Sequence, residues 1–174
     1  IYNKIQDPIG VTIDENNKKL YNEDMSDVKP IVYLDMDGVL ADFFGGVELL
    51  YGVEHWKQLT NDKTKDLKQE VINRIQGTDF FAVLPKFPTA DALIDMVKEF
   101  TDGKFSINTS PLRGDHENSA KYKKLWISNN IQQPDDIVVT GRKESYATDK
   151  ASGTPNILID DRPVNIQKWQ AAGG

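Results

Sequence analysis

Acidic residues stand in two motifs far apart in the sequence, and both could bind a metal ion or act on a substrate oxygen. Asp35 and Asp37 are separated by one residue and followed by Gly38, whereas Asp160 and Asp161 form an adjacent pair. If these four carboxylates meet, they repel one another, and a divalent cation relieves the repulsion. Ligands that offer only oxygen favour Mg²⁺. The acidic motifs therefore predict a Mg²⁺ site.

Hydroxyl and ammonium groups near these motifs predict a phosphate ligand. Thr109 and Ser110 follow an apolar run, and Lys150 precedes Asp160 by ten residues. A Mg²⁺ ion held by a few carboxylates keeps open positions for phosphate oxygens. If the first strand continued through Asp35 and Asp37, both side chains would face one side. One carboxylate could then attack phosphorus while the other protonated the leaving oxygen.

The elements that must position these groups form an alternating pattern of strands and helices. Four apolar runs are continuous rather than alternating, which is typical of parallel strands covered on both faces. They are residues 31–34, 105–107, 137–139 and 157–159. With helical segments between them, they predict an α/β fold, a doubly wound, Rossmann-like parallel sheet with right-handed crossovers. The site should lie beyond the carboxyl ends of the strands, where the acidic and hydroxyl residues fall.

The long gap after the first core strand predicts an insertion. Residues 31–41 and 86–174 form the expected core domain, and residues 42–85 form a small helical cap with helices at 43–51 and 62–76. Residues 1–30 are expected to form an N-terminal arm or hairpin, because apolar residues alternate on the amino-terminal side of a turn-forming stretch at 14–18.

Four ordered motifs resemble those of the haloacid dehalogenase superfamily. They are residues 35–43, 108–111, Lys150 and residues 158–162. Within that superfamily, the chain is similar to the phage and bacterial type of 5′(3′)-deoxyribonucleotidases. The further matches are residues 79–85, Lys123 three residues before Trp126, and residues 171–174 after Trp169. The resemblance covers about residues 31–174.

The resemblance implies roles for individual residues. Asp35 would be the nucleophile and Asp37 the general acid and base. Asp35, the main-chain carbonyl of Asp37 and the pair Asp160 and Asp161 would hold Mg²⁺, with Asp161 favoured as the direct ligand.

The resemblance also implies the groups that bind phosphate. These are Thr109 with Ser110 beside it, Lys150 and Lys123. Lys143 competes with Lys150 for the same role, and the ten-residue spacing to Asp160 favours Lys150.

Aromatic residues are concentrated in or beside the predicted cap. Such residues belong to the core more often than to a ligand platform. In the resembled family, however, cap aromatics stack on the base. The candidates for substrate binding here are therefore Phe43, Phe44, Phe80 and Phe81.

The expected function is that of a Mg²⁺-dependent phosphomonoesterase, which hydrolyses (deoxy)nucleoside monophosphates through an aspartyl-phosphate. One alternative is a phosphatase of the same superfamily that acts on the 3′ end of a nucleic acid. An alternative of another class is a non-catalytic nucleotide-binding or structural module on the same fold.

Composition sets further limits on the 174-residue chain. Its formal charge of −6 argues against a long nucleic acid as a partner, because proteins that wrap nucleic acid carry a basic face. The small-molecule partner expected is a nucleoside monophosphate, and a homodimer stays open. The chain has no cysteine and no apolar run of about 18 residues. We therefore expect a cytoplasmic protein without a membrane span.

Overall fold

Residues 12–13, 19–20, 28–59 and 67–174 are described by a computed structural model of the protein. Two short strands, β1 (Thr12–Ile13) and β2 (Lys19–Leu20), pair antiparallel, with Thr12 opposite Leu20. They flank the predicted turn at 14–18, which lies outside the described residues, as does the rest of the segment before residue 28.

The centre of the fold is a sheet of four parallel strands. They are β3 (Val32–Leu34), β4 (Ser106–Thr109), β5 (Asp136–Val139) and β6 (Ile157–Ile159), in the order β5-β4-β3-β6. The chain adds β4 and β5 on one side of β3 and then crosses to place β6 on the other side. The predicted α/β class with a parallel sheet is confirmed. The strand order reverses between β3 and β6, which is where ligands bind in open α/β sheets.

Five helices occur in the described part of the chain. They are α1 (Phe43–Tyr51), α2 (Leu67–Ile75), α3 (Ala90–Phe100), α4 (His116–Asn130) and α5 (Pro163–Ala171). Short 3-10 turns occupy Trp56–Leu59, Phe80–Ala82 and Lys143–Tyr146. The predicted helix at 62–76 is described only from Leu67 onward. None of these helices has the length and apolar character that crossing a membrane requires.

Asp42 and Gly52 fix the two ends of α1. The Asp42 carboxylate accepts a hydrogen bond from the Gly45 N–H at 2.8 Å, which satisfies a donor that the first turn leaves unpaired. Gly52 ends the helix at a φ of +65°, a conformation that glycine adopts without steric cost.

The two faces of the sheet bury different hydrophobic clusters. Leu34 and Ile107 belong to a large cluster that includes Trp126 of α4. Tyr33 points to the opposite face, since side chains alternate along a strand, and it packs with Val138 and Trp169 in a smaller cluster. α4 therefore covers one face, and α5 with the turn at Lys143–Tyr146 covers the other.

Residues 42–85 leave and re-enter the core at neighbouring points. The Asp42 N–H donates to the Pro85 carbonyl at 2.8 Å, and the Phe87 N–H donates to the Leu40 carbonyl at 2.9 Å. Val47 of α1 and Ile75 of α2 belong to the same large cluster as the sheet residues. The segment therefore shares its hydrophobic core with the sheet.

Candidate active site

The first acidic motif begins where β3 ends. The Asp35 N–H donates to the Ile159 carbonyl at 2.9 Å, which extends the ladder between β3 and β6 by one residue. Asp35 and Asp160 consequently lie side by side at the carboxyl ends of adjacent strands. The chain then turns sharply, and the carbonyl of Met36 accepts the N–H groups of Leu40 and Ala41, each at 2.9 Å.

Gly38 brings the loops after β3 and β6 into contact. Its φ of +81° is one that residues with a side chain rarely adopt. A Cβ atom at this position would also lie 2.3 Å from Oδ2 of Asp161, well inside van der Waals contact. Only glycine lets the backbone approach the Asp161 carboxylate so closely.

The ammonium of Lys143 joins two of the carboxylates. Its Nζ lies 2.8 Å from Oδ2 of Asp35 and 2.6 Å from Oδ2 of Asp160, and only 4% of the lysine side chain is exposed. The Asp160 carboxylate also accepts hydrogen bonds from the Asn165 amide at 2.9 and 3.0 Å and from the Arg162 N–H at 2.9 Å. The Asp160 carboxylate thus fixes the position of Lys143, and Asp35 is buried beside it.

The structure places Lys143 at the acidic groups, whereas Lys150, which the spacing favours, lies away from them. Lys150 is exposed and lies in a turn that the Asp149 carboxylate closes by accepting the Ser152 N–H at 2.7 Å. Thr148 and Pro155 pair across the base of this loop. The ten-residue spacing therefore reaches a protruding loop, whereas Lys143 begins the 3-10 turn that packs beneath the strand ends.

A second buried lysine, Lys123, approaches from the other face of the sheet. Its Nζ lies 2.5 Å from Oδ2 of Asp37 and 3.2 Å from Oγ1 of Thr109, and its side chain is 2% exposed. The ammonium also lies 4.6 Å from the centre of the Phe81 ring, a cation–π distance. The second oxygen of Asp37, Oδ1, is buried and has no hydrogen-bond partner among the described residues.

Burial and charge both act on the pKa of the acidic groups. Burial raises the pKa of the Asp35 carboxyl from 3.8 to about 6; the ammonium of Lys143 opposes the shift, and the charges of Asp37 and Asp160 add to it. Burial also raises the pKa of Asp161, and the neighbouring charge of Asp160 adds to that increase. A cation placed among these groups would favour their ionised forms.

The acidic groups fit a metal ion. Asp35, Asp160 and Asp161 each offer a carboxylate oxygen, and these oxygens lie within 4.8 Å of one another. Four carboxylates against the ammonium groups of Lys123 and Lys143 give a local charge of 2 − 4 = −2 when all are ionised. This charge suits one divalent cation, and the donors are all oxygen.

The hydroxyl residues lie at the same edge. Thr109 ends β4 and is buried with its Oγ1 on Lys123, and Ser110 follows it, half-buried. Of the residues predicted to bind phosphate, four therefore lie at one end of the sheet: Thr109, Ser110, Lys123 and Lys143.

The aromatic candidates divide into buried and exposed rings. Phe80 and Phe81 are 5% and 3% exposed, so their rings serve the core and leave little surface for a base. Phe43 packs on Phe80, with ring centres 5.6 Å apart, and on Phe44, at 5.8 Å. Phe44 is 49% exposed. The structure thus buries two of the rings predicted to stack on a base, because Phe80 and Phe81 fill the cluster beneath α4.

Sequence reasoning missed Asn165, which holds both oxygens of Asp160. The sequence does contain a pattern that could have indicated Asn165. Pro163 marks the first turn of α5, and a polar residue two positions later faces the end of the strand that precedes the helix.

Two comparisons with known proteins find no relative of this chain. A scan of the chain against protein-family models finds no match, and a search of curated proteins finds no significant match. The function has to be inferred from the residues of the site and their arrangement.

Proposed function

We propose that the chain is a Mg²⁺-dependent phosphomonoesterase of the haloacid dehalogenase type, which hydrolyses (deoxy)nucleoside monophosphates through an aspartyl-phosphate at Asp35. The observation that supports it most is the contact of the buried Asp35 carboxylate with Lys143, beside Asp160 and Asp161. A buried carboxylate held by one ammonium, with oxygen ligands for a cation next to it, suits attack on a phosphate dianion.

In the proposed enzyme, residues 42–85 act as a cap over the strand ends. The support for this role is that the two ends of the segment are hydrogen-bonded to each other beside the first acidic motif. Phe43 and Phe44 lie at the start of α1, immediately after that loop. Among the aromatic side chains of the segment that the structure describes, these are the two that we expect to meet a substrate.

In the first half of the reaction, an Asp35 oxygen forms a bond to phosphorus, and the bond from phosphorus to the nucleoside oxygen breaks. Asp37, once a proton from solvent has replaced its ion pair with Lys123, donates that proton to the departing oxygen. Lys143, which holds Asp35 in the free protein, neutralises charge on the phosphoryl oxygens. Asp35, Asp161 and the Asp37 carbonyl would hold Mg²⁺, which would supply charge stabilisation for the phosphoryl group.

In the second half, Asp37 accepts a proton from water, and the water oxygen bonds to phosphorus as the bond to Asp35 breaks. Lys123 has to share its ammonium with the phosphate for this to happen, because it is paired with Asp37 in the free protein. Thr109, already bonded to Lys123, adds a hydroxyl donor to the phosphate site.

A nucleoside is the leaving group that we favour. Stacking of a base on an aromatic ring stabilises binding by roughly 1–3 kcal/mol. Phe44 of α1 is 49% exposed, so a base can reach part of its surface. A shallow cavity of about 360 Å³ opens beyond the ends of β4 and β5, next to Pro111 and Thr140.

The test is turnover of p-nitrophenyl phosphate and of a panel of nucleoside monophosphates with Mg²⁺. We expect hydrolysis that EDTA abolishes and Mg²⁺ restores, and we expect Asp35→Asn to reduce it to background. Asp95→Asn, which changes an exposed carboxylate of α3, is the matched control. Near-normal activity of Asp35→Asn, or activity that survives EDTA, would refute the proposal.

A further inference from the structure

A buried amide without partners lies beside the site. The side chain of Asn108 in β4 is 0% exposed, and neither its Nδ2 nor its Oδ1 has a hydrogen-bond partner among the described residues. Buried polar groups are nearly always paired, since leaving one unpaired destabilises the fold. We therefore expect the Asn108 amide to form a hydrogen bond in another state of the site, such as the one with substrate bound.

The register of the sheet places Asn108 next to Asp35. Leu34 is opposite Ile107 in the ladder between β3 and β4, so one step further along both strands brings Asp35 beside Asn108. Side chains of paired residues on adjacent parallel strands point to the same face, and the strands lie about 4.8 Å apart. Asn108 is also opposite Val138, which belongs to the same face as Tyr33.

Asp35 is thus flanked on its two sides by different groups. On the β6 side, Asp160 and Lys143 hold it by the ion pair described above. On the β4 side lies the Asn108 amide. In the proposed mechanism Lys143 also serves the phosphoryl oxygens, so its hold on Asp35 weakens when a phosphate enters.

We propose that Asn108 is a positioning residue for Asp35. Its Nδ2 donates a hydrogen bond to the Asp35 carboxyl group during turnover, on the side of Asp35 that faces β4, and so fixes the orientation of the nucleophile while Lys143 serves the phosphate. The inference rests on the proposed function, because it assigns a role in the phosphoryl transfer at Asp35.

The experiment compares two buried asparagines with opposite surroundings. Asn156 is buried as well, but its amide donates to the Tyr146 carbonyl at 3.0 Å and accepts from the Ile31 N–H at 2.9 Å. We expect Asn108→Val to lower kcat by about ten- to a hundredfold, as misplacement of a reacting group does. Its KM and its melting temperature should not fall. Asn156→Val should lower the melting temperature and leave the kcat of the folded protein unchanged.

The conservative variant Asn108→Thr separates hydrogen bonding from packing, because threonine matches valine in shape and keeps a polar group. Recovery of kcat in Asn108→Thr relative to Asn108→Val supports the proposal. An unchanged kcat in Asn108→Val, or equal losses in both variants, overturns it while leaving the proposed function intact. A wild-type protein that hydrolyses no phosphate monoester overturns both.

Discussion

The two buried lysines stand on opposite faces of the sheet, and they hold the acidic loop in different ways. Lys143 bridges Asp35 and Asp160, and Asp160 is hydrogen-bonded at both of its oxygens. Lys123 pairs with Asp37 and Thr109, but one oxygen of Asp37 stays without a partner among the described residues. The first network is closed, and the second is open.

The closed network preorganises the nucleophile Asp35, whereas the open network leaves Asp37 able to exchange protons. A nucleophile gains from a fixed environment, since its orientation is set before the substrate binds. A group that gives and takes protons has to be released from its ion pair at the right step, so an incompletely bonded Asp37 suits that role. The contrast predicts that changes on the Lys143 side affect stability and activity together, while changes on the Lys123 side affect activity more.

The largest effect is expected from Lys143→Met, which leaves Asp35 and Asp160 buried without their cation. Removing one partner of a buried ion pair typically destabilises by about 3–5 kcal/mol. We expect a large loss of unfolding free energy in urea together with loss of turnover. Lys150→Met, which changes the exposed lysine of the neighbouring loop, should alter neither. Loss of activity in Lys150→Met with normal behaviour of Lys143→Met would reverse the assignment of the two lysines.

Asp37→Asn tests the open network. Turnover of nucleoside monophosphates should fall by about 10²–10⁴-fold, because the leaving oxygen and the attacking water both lose their proton partner. Stability should change less than in Lys143→Met, since the asparagine oxygen can still accept from Lys123. With p-nitrophenyl phosphate, whose leaving group needs no proton, stopped-flow measurement should show a rapid burst followed by slow turnover. Equal losses for both substrates and no burst would argue against this role.

A smaller effect is expected from pH, which changes the free energy of unfolding through Asp35 of the closed network. Because the pKa of Asp35 is raised from 3.8 to about 6, the folded protein binds this proton more tightly than the unfolded chain does. The contribution to stability is full below the unfolded pKa and is lost as pH rises through the folded pKa, by about 3 kcal/mol in metal-free protein. Urea unfolding in EDTA between about pH 4 and pH 7 measures it.

Asp35→Asn is the control for this loss, since it has no such titration. Mg²⁺ should raise the melting temperature at about pH 7.5 and raise it less at about pH 5, where protons compete for the same carboxylate. A stabilisation by Mg²⁺ that does not depend on pH would contradict the placement of Asp35 among the metal ligands.

The smallest effect on activity is expected from the ring of Phe44, outside both networks. Phe44→Ala should raise KM for nucleoside monophosphates by up to about tenfold, as loss of one stacking contact does, and leave p-nitrophenyl phosphate unaffected. Phe81→Ala, which removes a buried ring next to Lys123, should instead destabilise by about 3–5 kcal/mol. A KM for nucleoside monophosphates that is the same in Phe44→Ala as in the wild type would remove this ring from the substrate site.

The sequence predicts the sheet well because parallel strands covered on both faces read as continuous apolar runs. The run at 157–159 coincides with β6, and the run at 31–34 begins one residue before β3. Asp35 and Asp160 could be placed together because each follows such a run. The strand ends of an open parallel sheet meet at one edge.

The sequence does not predict which lysine reaches that edge. Lys143 and Lys150 both precede β6, and the choice depends on where the connecting chain packs against α5 rather than on spacing. Nor does it separate Phe44 from Phe81, because burial of a ring depends on which helix covers it. These features come from long-range packing, which local sequence patterns do not contain.

The most direct test of the central claim is to trap the phosphorylated enzyme. The protein is mixed with substrate and Mg²⁺, reduced with borohydride to convert an acyl phosphate into a homoserine, and digested for mass spectrometry. We predict homoserine at position 35, formed only when substrate is present and absent from Asp35→Asn. Turnover without this conversion, or conversion at another carboxylate, would contradict the assignment of Asp35 as the nucleophile.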